Sequence, residues 1–248
     1  MPTKIRLNNI YNLLLQYYGP QHWWPISCGT RKKSERGLSS AQLEIMLGAI
    51  LTQNTAWKNV ELSLANLSRA RLLDWQKLRN IPKRSLAKFV RPAGYYNQKA
   101  GYIKNLVKEI LKEPWQENDS LEQLRRYFLA IKGIGEETAD SILLYALGKP
   151  TFVVDTYTKR LFSRLGLIPK KATYAFVQDF VHKDLTPTPL HSRRMVWGLT
   201  LRGNKVKLYQ EFHALIVRHA KEYCRSKPVC GDCFINAKCK NPRPPCVK

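Results

Sequence analysis

The chain has 248 residues, 44% of them hydrophobic, which is enough for one large domain or two modest ones with a real core. No apolar run approaches the roughly 20 residues that a membrane-crossing helix needs. The opening MPTKIRLNNIYNLLLQYY also lacks the small-residue cleavage site of a secretory signal, so the expected setting is intracellular, cytoplasmic and free of membrane. The 42 Lys plus Arg against 18 Asp plus Glu leave a formal charge of +24, spread along the chain instead of gathered in one amphipathic segment. That balance points to a polyanionic partner, nucleic acid ahead of an anionic membrane face.

In chain order, Ile5 to Tyr18 carries apolar residues at helical spacing and Tyr-Gly-Pro ends it. The polar, basic, glycine-bearing stretch Ile26 to Ser40 reads as a loop or linker, with Ser40 a candidate cap for a helix from Ala41 to Leu51. Helical periodicity continues over Trp57–Leu67, Leu72–Leu78, Arg84–Val90, Asn97–Leu111 and Leu121–Ala130. It resumes over Thr138–Leu147, Thr156–Leu165, Tyr174–Lys183, His191–Leu199 and Tyr209–Tyr223. Phe152 to Val154 is too short for a convincing strand and reads as a buried connector. Connections are short and no 20–50-residue repeat is evident, so the expected fold class is all-α.

Between two of these helices, Gly133-Ile134-Gly135 is a tight glycine hairpin. A Gly-x-Gly turn that feeds a helix can present backbone N–H groups and a positive dipole end to a phosphate. About twenty residues later a lone acid, Asp155, follows the apolar run Phe152-Val153-Val154 and precedes a helix. Such an Asp is either a helix N-cap or, one helix beyond a phosphate site, a group able to reach what the phosphate is attached to. Six cysteines are present, and Cys224, Cys230, Cys233 and Cys239 crowd into Cys-x5-Cys-x2-Cys-x5-Cys. In an intracellular chain this clustering reads as metal ligation sooner than disulfides. Four thiolates suit tetrahedral zinc or a [4Fe–4S] cluster, and outer spacings longer than those of paired zinc knuckles favour the cluster. Cys28 and Cys246 stand apart as expected free thiols, a late role in the cluster being the alternative for Cys246 in the Pro-rich tail NPRPPCVK.

The hairpin IKGIGEETA, the sequences VVDTY and LTQNT and the terminal cysteines together resemble the endonuclease III family, from about residue 40 to Cys239. These are helix-hairpin-helix DNA glycosylases with an iron–sulfur cluster. The first cysteine gap is five residues here, where the family usually has six. The resemblance implies two helical domains. Residues 37–150 would form a barrel-like domain ending in the hairpin, and residues 1–36 with 151–248 a discontinuous domain holding a [4Fe–4S] cluster on Cys224, Cys230, Cys233 and Cys239. It also implies a duplex-DNA partner carrying a damaged base, a monomeric enzyme, and Asp155 as the catalytic carboxylate. DNA contacts would come from Lys132, Gly133, Ile134 and Gly135. Gln53 would fill the gap left by a flipped nucleotide, and Tyr95 or its neighbour Tyr96 would form a second wedge.

One departure bears on the chemistry. Bifunctional members of the family place a nucleophilic lysine just before the Thr-Ala of the hairpin motif, and this chain has Glu137 there. A carboxylate cannot form an imine, so the expected enzyme is a monofunctional hydrolase that leaves an abasic site. Glu137 is then left to influence Asp155 or to hold the attacking water. Trp23-Trp24-Pro25, with Trp57 after LTQNT, resembles the 3-methyladenine DNA glycosylase III branch, which also lacks the lysine. In that branch an aromatic pocket stacks on a cationic alkylated purine, a role expected here of Trp24 and Trp57. The best-known type of that branch lacks the iron–sulfur ligands, whereas this chain keeps them. Uracil, mismatched thymine or an oxidised pyrimidine are the alternative substrates. A non-catalytic cluster-bearing DNA-binding protein and a zinc-binding regulator are the alternatives of a different class.

Overall fold

The computed structural model describes residues 6–26, 39–116, 118–187 and 204–240. Cys28, Cys246 and the expected helix His191–Leu199 lie outside the described residues. The helices run α1 (Leu7–Tyr18), α2 (Ser40–Leu51), α3 (Trp57–Arg69), α4 (Trp75–Asn80), α5 (Lys83–Phe89), α6 (Tyr96–Lys112) and α7 (Leu121–Ala130). They continue with α8 (Glu136–Ser141), α9 (Thr156–Leu165), α10 (Tyr174–Asp184) and α11 (Lys205–Glu222), and no strand occurs among the described residues. The chain divides into two compact units, one of Trp24–Lys149 and one of Met1–Trp23 with Pro150–Lys248.

The Trp24–Lys149 unit is organised on α2. Nine of its 12 residues are buried, so its sequence SAQLEIMLGAIL has no polar face. A helix apolar all round belongs inside a core, and α2 packs on α3, α6, α8 and the turn that follows α8. Its start is set by Ser39, whose hydroxyl accepts the Gln42 N–H while the Gln42 side chain accepts the Ser39 N–H. The cap is therefore one residue earlier than the Ser40 read from sequence, because only Ser39 has a residue three positions on that closes the reciprocal box. At the other end, Lys99 of α6 is 2% exposed, and its Nζ donates to Leu51 O and Ala93 O at 2.8 Å each. Burial draws this ammonium down to about 8. Two carbonyl acceptors are what let a lysine remain inside. Arg125 joins α7 to α8 through Asp140, fully buried, at 2.9 Å, and through Glu136 at 3.3 Å.

The segment expected as one helix over Thr138–Leu147 is a short α-helix that widens into a π-helical turn at Ile142–Ala146. Leu147 N–H reaches back to Ile142 O, one residue further than an α-helix would. Tyr145 in that turn meets Trp24, with ring centroids 5.4 Å apart, and Trp24 meets Trp57 edge-on at 5.2 Å.

In the other unit α1 packs on α10 and α11, and α9 packs on α11. The aromatic rings of Tyr11, Phe152, Phe162 and Phe212 interlock edge-on or tilted at about 6 Å, the geometry their quadrupoles favour. Glu211 is buried and accepts the Gln21 N–H at 2.6 Å. Burial raises its carboxyl above the ordinary value against the opposing effect of that bond.

Gly48 of α2 lies under the Trp24 indole, and a Cβ there would sit 2.7 Å from Cζ2. Gly48→Ala should therefore overpack the unit and destabilise it by about 1–3 kcal/mol, read from the urea midpoint with tryptophan fluorescence as the probe.

Candidate functional site

The hairpin joins α7 to α8. Gly133 has φ +102°, and a Cβ there would run into the Tyr102 ring, so two separate constraints select glycine. Gly135 caps α8 with extended backbone and opens onto empty space, which leaves its backbone approachable. Ile134 is buried beneath the turn, and Lys132 is exposed with its carbonyl accepting Asn105 Nδ2–H at 2.9 Å. Gln53 reaches this hairpin from the loop after α2, its Nε2 donating to Gly133 O at 2.9 Å and to Thr138 Oγ1 at 3.0 Å. The amide expected to plug a duplex is thus engaged in bracing the turn. Beside it, Asn54 is exposed with φ +51°, a feature with no signal in the sequence. Glu137 is exposed in the first turn of α8 with Glu136, where carboxylates complement the helix dipole.

Of the two candidate wedge tyrosines, Tyr95 is 70% exposed and Tyr96 37%. Tyr95 also holds a left-handed backbone, φ +44° and ψ +32°, as the residue before α6. A left-handed conformation is costly for an aromatic residue. The preceding Ala93 carbonyl is tethered by Lys99, which also tethers the end of α2 just before Gln53. Trp24 and Trp57 come together with Tyr145, and the Trp57 indole N–H donates to Glu61 at 2.8 Å.

Asp155 belongs to the other unit. The connector ahead of it, Thr151 to Val154, is buried and lies outside any helix, and no strand occurs among the described residues to pair with it. Its polar groups must find partners or pay for desolvation, and α10 supplies them. Phe152 N–H donates to His182 Nε2 at 3.0 Å, Val154 N–H to Tyr174 Oη at 3.3 Å, and Gln178 Nε2 donates to Phe152 O at 2.8 Å and Thr151 Oγ1 at 3.1 Å. Tyr174, Gln178 and His182 recur every four residues, so they share one helix face. That polar stripe was legible in the sequence, though not its role.

The connector delivers Asp155 as the N-cap of α9, with Oδ1 accepting the Thr158 N–H at 2.7 Å. Oδ2 lies 3.5 Å from His213 Nε2 on α11. The side chain is 8% exposed. Burial alone would raise its carboxyl pKa, but His213 and the Thr158 bond outweigh it, and the net displacement is below the ordinary value. Asp155 is therefore an ionised, oriented carboxylate at neutral pH. His213 has no sequence signal, because its partner lies on a distant helix.

The four cysteines are all reduced and line one cavity of about 240 Å³. Among the described residues no group of three or more His, Cys, Asp or Glu stands close enough to hold a metal ion. Arg164 Nη1 lies 3.3 Å from Cys224 Sγ while donating to Arg225 O and Ser226 O, and Arg160 holds Cys224 O at 2.7 Å. Burial, then the neighbouring thiols, push the Cys239 thiol up to about 11 and Cys233 in the same direction. These surroundings favour the neutral thiols of Cys233 and Cys239, and a bound cation would reverse that preference.

Residues 47–185 match the model of the HhH-GPD superfamily of base excision DNA repair proteins, more than half of the chain. The chain is 41% identical over 236 residues to a candidate DNA repair glycosylase of Methanocaldococcus jannaschii, covering 93% of this chain and 94% of the other. It is 26% identical over 197 residues to endonuclease III of Sulfolobus acidocaldarius, with 79% and 80% covered. Among solved structures, the 3-methyladenine DNA glycosylase of Helicobacter pylori bound to 1,N6-ethenoadenine superposes with a TM-score of 0.65 at 32% identity, over 88% of this chain and 98% of that one. The chain belongs to the HhH-GPD superfamily, among its endonuclease III-like DNA repair glycosylases. No helix among the described residues is long and apolar enough to cross a membrane.

The depressed carboxyl of Asp155 has a thermodynamic signature. Its folded pKa is below its unfolded one, so its contribution to stability is present above the unfolded value and is lost as pH falls through the folded value. Relative to Asp155→Asn, the wild type should lose stability progressively below about pH 4, measured as the difference between their urea midpoints across an acid series.

Proposed function

We propose that this protein is a monofunctional DNA glycosylase, which extrudes a damaged base from duplex DNA and hydrolyses its N-glycosidic bond with Asp155 as the catalytic carboxylate. The observation that carries the reading is the state of Asp155: buried, ionised, and held by the Thr158 N–H on one oxygen and by His213 beside the other. Such a group can stabilise the positive charge that grows on the sugar and orient a water. In the step, the C1′–N bond breaks with its electron pair going to the base, and the water oxygen bonds to C1′. The proton of that water passes to the carboxylate and on to solvent. An alkylated purine starts with a positive charge, so it departs neutral and needs no proton from the enzyme.

Glu137 stands where a lysine nucleophile would be required for strand cleavage, which supports hydrolysis that ends at the abasic site. The substrate reading, alkylated purines such as 3-methyladenine, is supported by the Trp24–Trp57–Tyr145 aromatic group. It is also supported by the alkylated-base enzyme at 32% identity, which is bound to a modified adenine. Electron-rich rings attract a cationic base. Duplex contacts would come from the hairpin Lys132–Gly135, with Gln53 and Tyr95 as the residues entering the helix, and the +24 charge would supply the phosphate affinity. One copy of the chain suffices for this activity. A glycosylase for uracil, mismatched thymine or oxidised pyrimidines is the alternative, and the same assay decides between them.

Cys224, Cys230, Cys233 and Cys239 would hold a [4Fe–4S] cluster. All four thiols line one cavity, and outer sequence spacings longer than those of paired zinc knuckles support the cluster over a single tetrahedral ion. The cluster would supply structural cross-linking of the chain end, while Arg160 and Arg164 neutralise and fix the ligand loop. Protein purified without oxygen should be brown and carry ~4 iron per chain, and Cys233→Ser should lower the iron content. A colourless protein with one zinc per chain would overturn this assignment.

The functional test incubates the protein with duplexes bearing 3-methyladenine, uracil, mismatched thymine or thymine glycol, half of each reaction then being treated with alkali. Breaks should appear only after alkali, in the 3-methyladenine lane, and Asp155→Asn should slow them by about 10²-fold or more. Breaks without alkali, trapped by borohydride as a covalent complex, would mean that another lysine acts as nucleophile.

A further inference from the structure

Asp155 has a neighbour at each carboxylate oxygen, and only one of them belongs to its own helix. The Thr158 N–H on Oδ1 is a helix cap such as any N-terminal Asp can make. His213, at the middle of α11 and itself mostly buried, brings Nε2 to 3.5 Å from Oδ2. Its ring packs edge-on to Phe152, centroids 6.3 Å apart, so the connector that carries Asp155 also orients the imidazole. The titratable groups that the packed helices bring to this segment are Tyr174 and His182 from α10 and Tyr209 and His213 from α11. Tyr174 and His182 are engaged with the Val154 and Phe152 N–H groups, and Tyr209 stacks on His182 and meets the Phe152 ring edge-on. The groups from α9 are the Asp155 cap itself and the Thr158 N–H.

We infer that His213 is the positioning residue for the catalytic carboxylate: it fixes the plane of Asp155 through Oδ2 and keeps that oxygen ionised where the sugar and the attacking water must meet it. This rests on the reading of Asp155 given above. The physical need is specific to this site. A carboxylate that is 8% exposed loses most of its hydration, and a single N–H on the far oxygen would leave Oδ2 free to take up a proton. Protonated Asp155 could neither stabilise positive charge nor accept a proton from water. An imidazole beside Oδ2 favours the anion, and at 3.5 Å it leaves that oxygen's lone pairs open for chemistry.

The test is the pH dependence of single-turnover base release from a duplex carrying 3-methyladenine, for the wild type, His213→Leu, His213→Gln and Asp155→Asn. His213→Leu keeps volume but offers no donor, and His213→Gln restores an amide donor. Duplex affinity and melting temperature are recorded for each. With His213 lost and burial unchanged, Asp155 should titrate higher, so His213→Leu should acquire an acid limb between about pH 5 and 7. Its rate near pH 5 should be roughly tenfold below its own plateau. The wild type and His213→Gln should show no such limb, and duplex affinity should be unchanged. A simple loss of packing would lower the rate evenly at all pH and would not be rescued by glutamine. A His213→Leu profile parallel to the wild type, with Asp155→Asn inactive, overturns the role of His213 and leaves Asp155 standing. Asp155→Asn as active as the wild type removes the catalytic carboxylate itself, and the inference falls with it. Should His213→Leu fail to fold, the glutamine variant still decides: with carbon-13-labelled aspartate, its Asp155 carboxyl must titrate close to the wild-type value.

Discussion

A buried stretch of backbone outside any helix or strand is an expensive thing to build, and the placement of Asp155 depends on one. Thr151 to Val154 cannot satisfy their polar groups within a sheet or a helix, so they take partners from the side chains of α10: Tyr174, Gln178 and His182. These bonds set the line along which the chain enters α9 and therefore where its N-cap stands. The apolar side chains Phe152, Val153 and Val154 of the same segment are buried. A carboxylate placed in this way needs no rearrangement to be oriented, which is the condition under which an electrostatic contribution to catalysis is largest.

The other unit solves a different problem, the close approach of loops around a helix buried on all sides. With α2 buried on all sides, each end must be closed by something polar. Ser39 and Gln42 close one, and the Lys99 ammonium closes the other. Because Lys99 also holds Ala93 O, a single buried cation ties the loop of Gln53 and Asn54 to the loop of Tyr95. Gly48 admits the Trp24 indole to the surface of α2, and the π-helical turn carries Tyr145 to the same indole. The aromatic group is thus a consequence of one missing side chain and one widened turn.

Family membership and chemistry are decided by different residues in this protein. The hairpin glycines and the apolar periodicity are what make it an HhH-GPD chain, and they would serve a lyase equally well. On the proposed reading, what would separate it from a lyase is confined to Glu137, an exposed position in the first turn of α8. An exposed position of this kind can change its side chain while the architecture is kept.

The helical class, nearly every helix within a few residues, the hairpin, the cysteine set and the lone Asp155 were legible in the sequence, since each is a local pattern of period, spacing or turn chemistry. Helix ends shifted where a cap partner three residues away mattered, as at Ser39, and the π-helical turn was invisible because its residues are as apolar as those of an ordinary helix. The tertiary structure alone decided that Gln53 braces the hairpin and that Tyr95 is the more exposed tyrosine. It also decided that His213 meets Asp155 and that four thiols share a cavity. The physical reason is that periodicity records which face of an element is apolar, whereas a hydrogen bond between residues on different helices depends on how those faces pack, and that leaves no trace in the spacing of either.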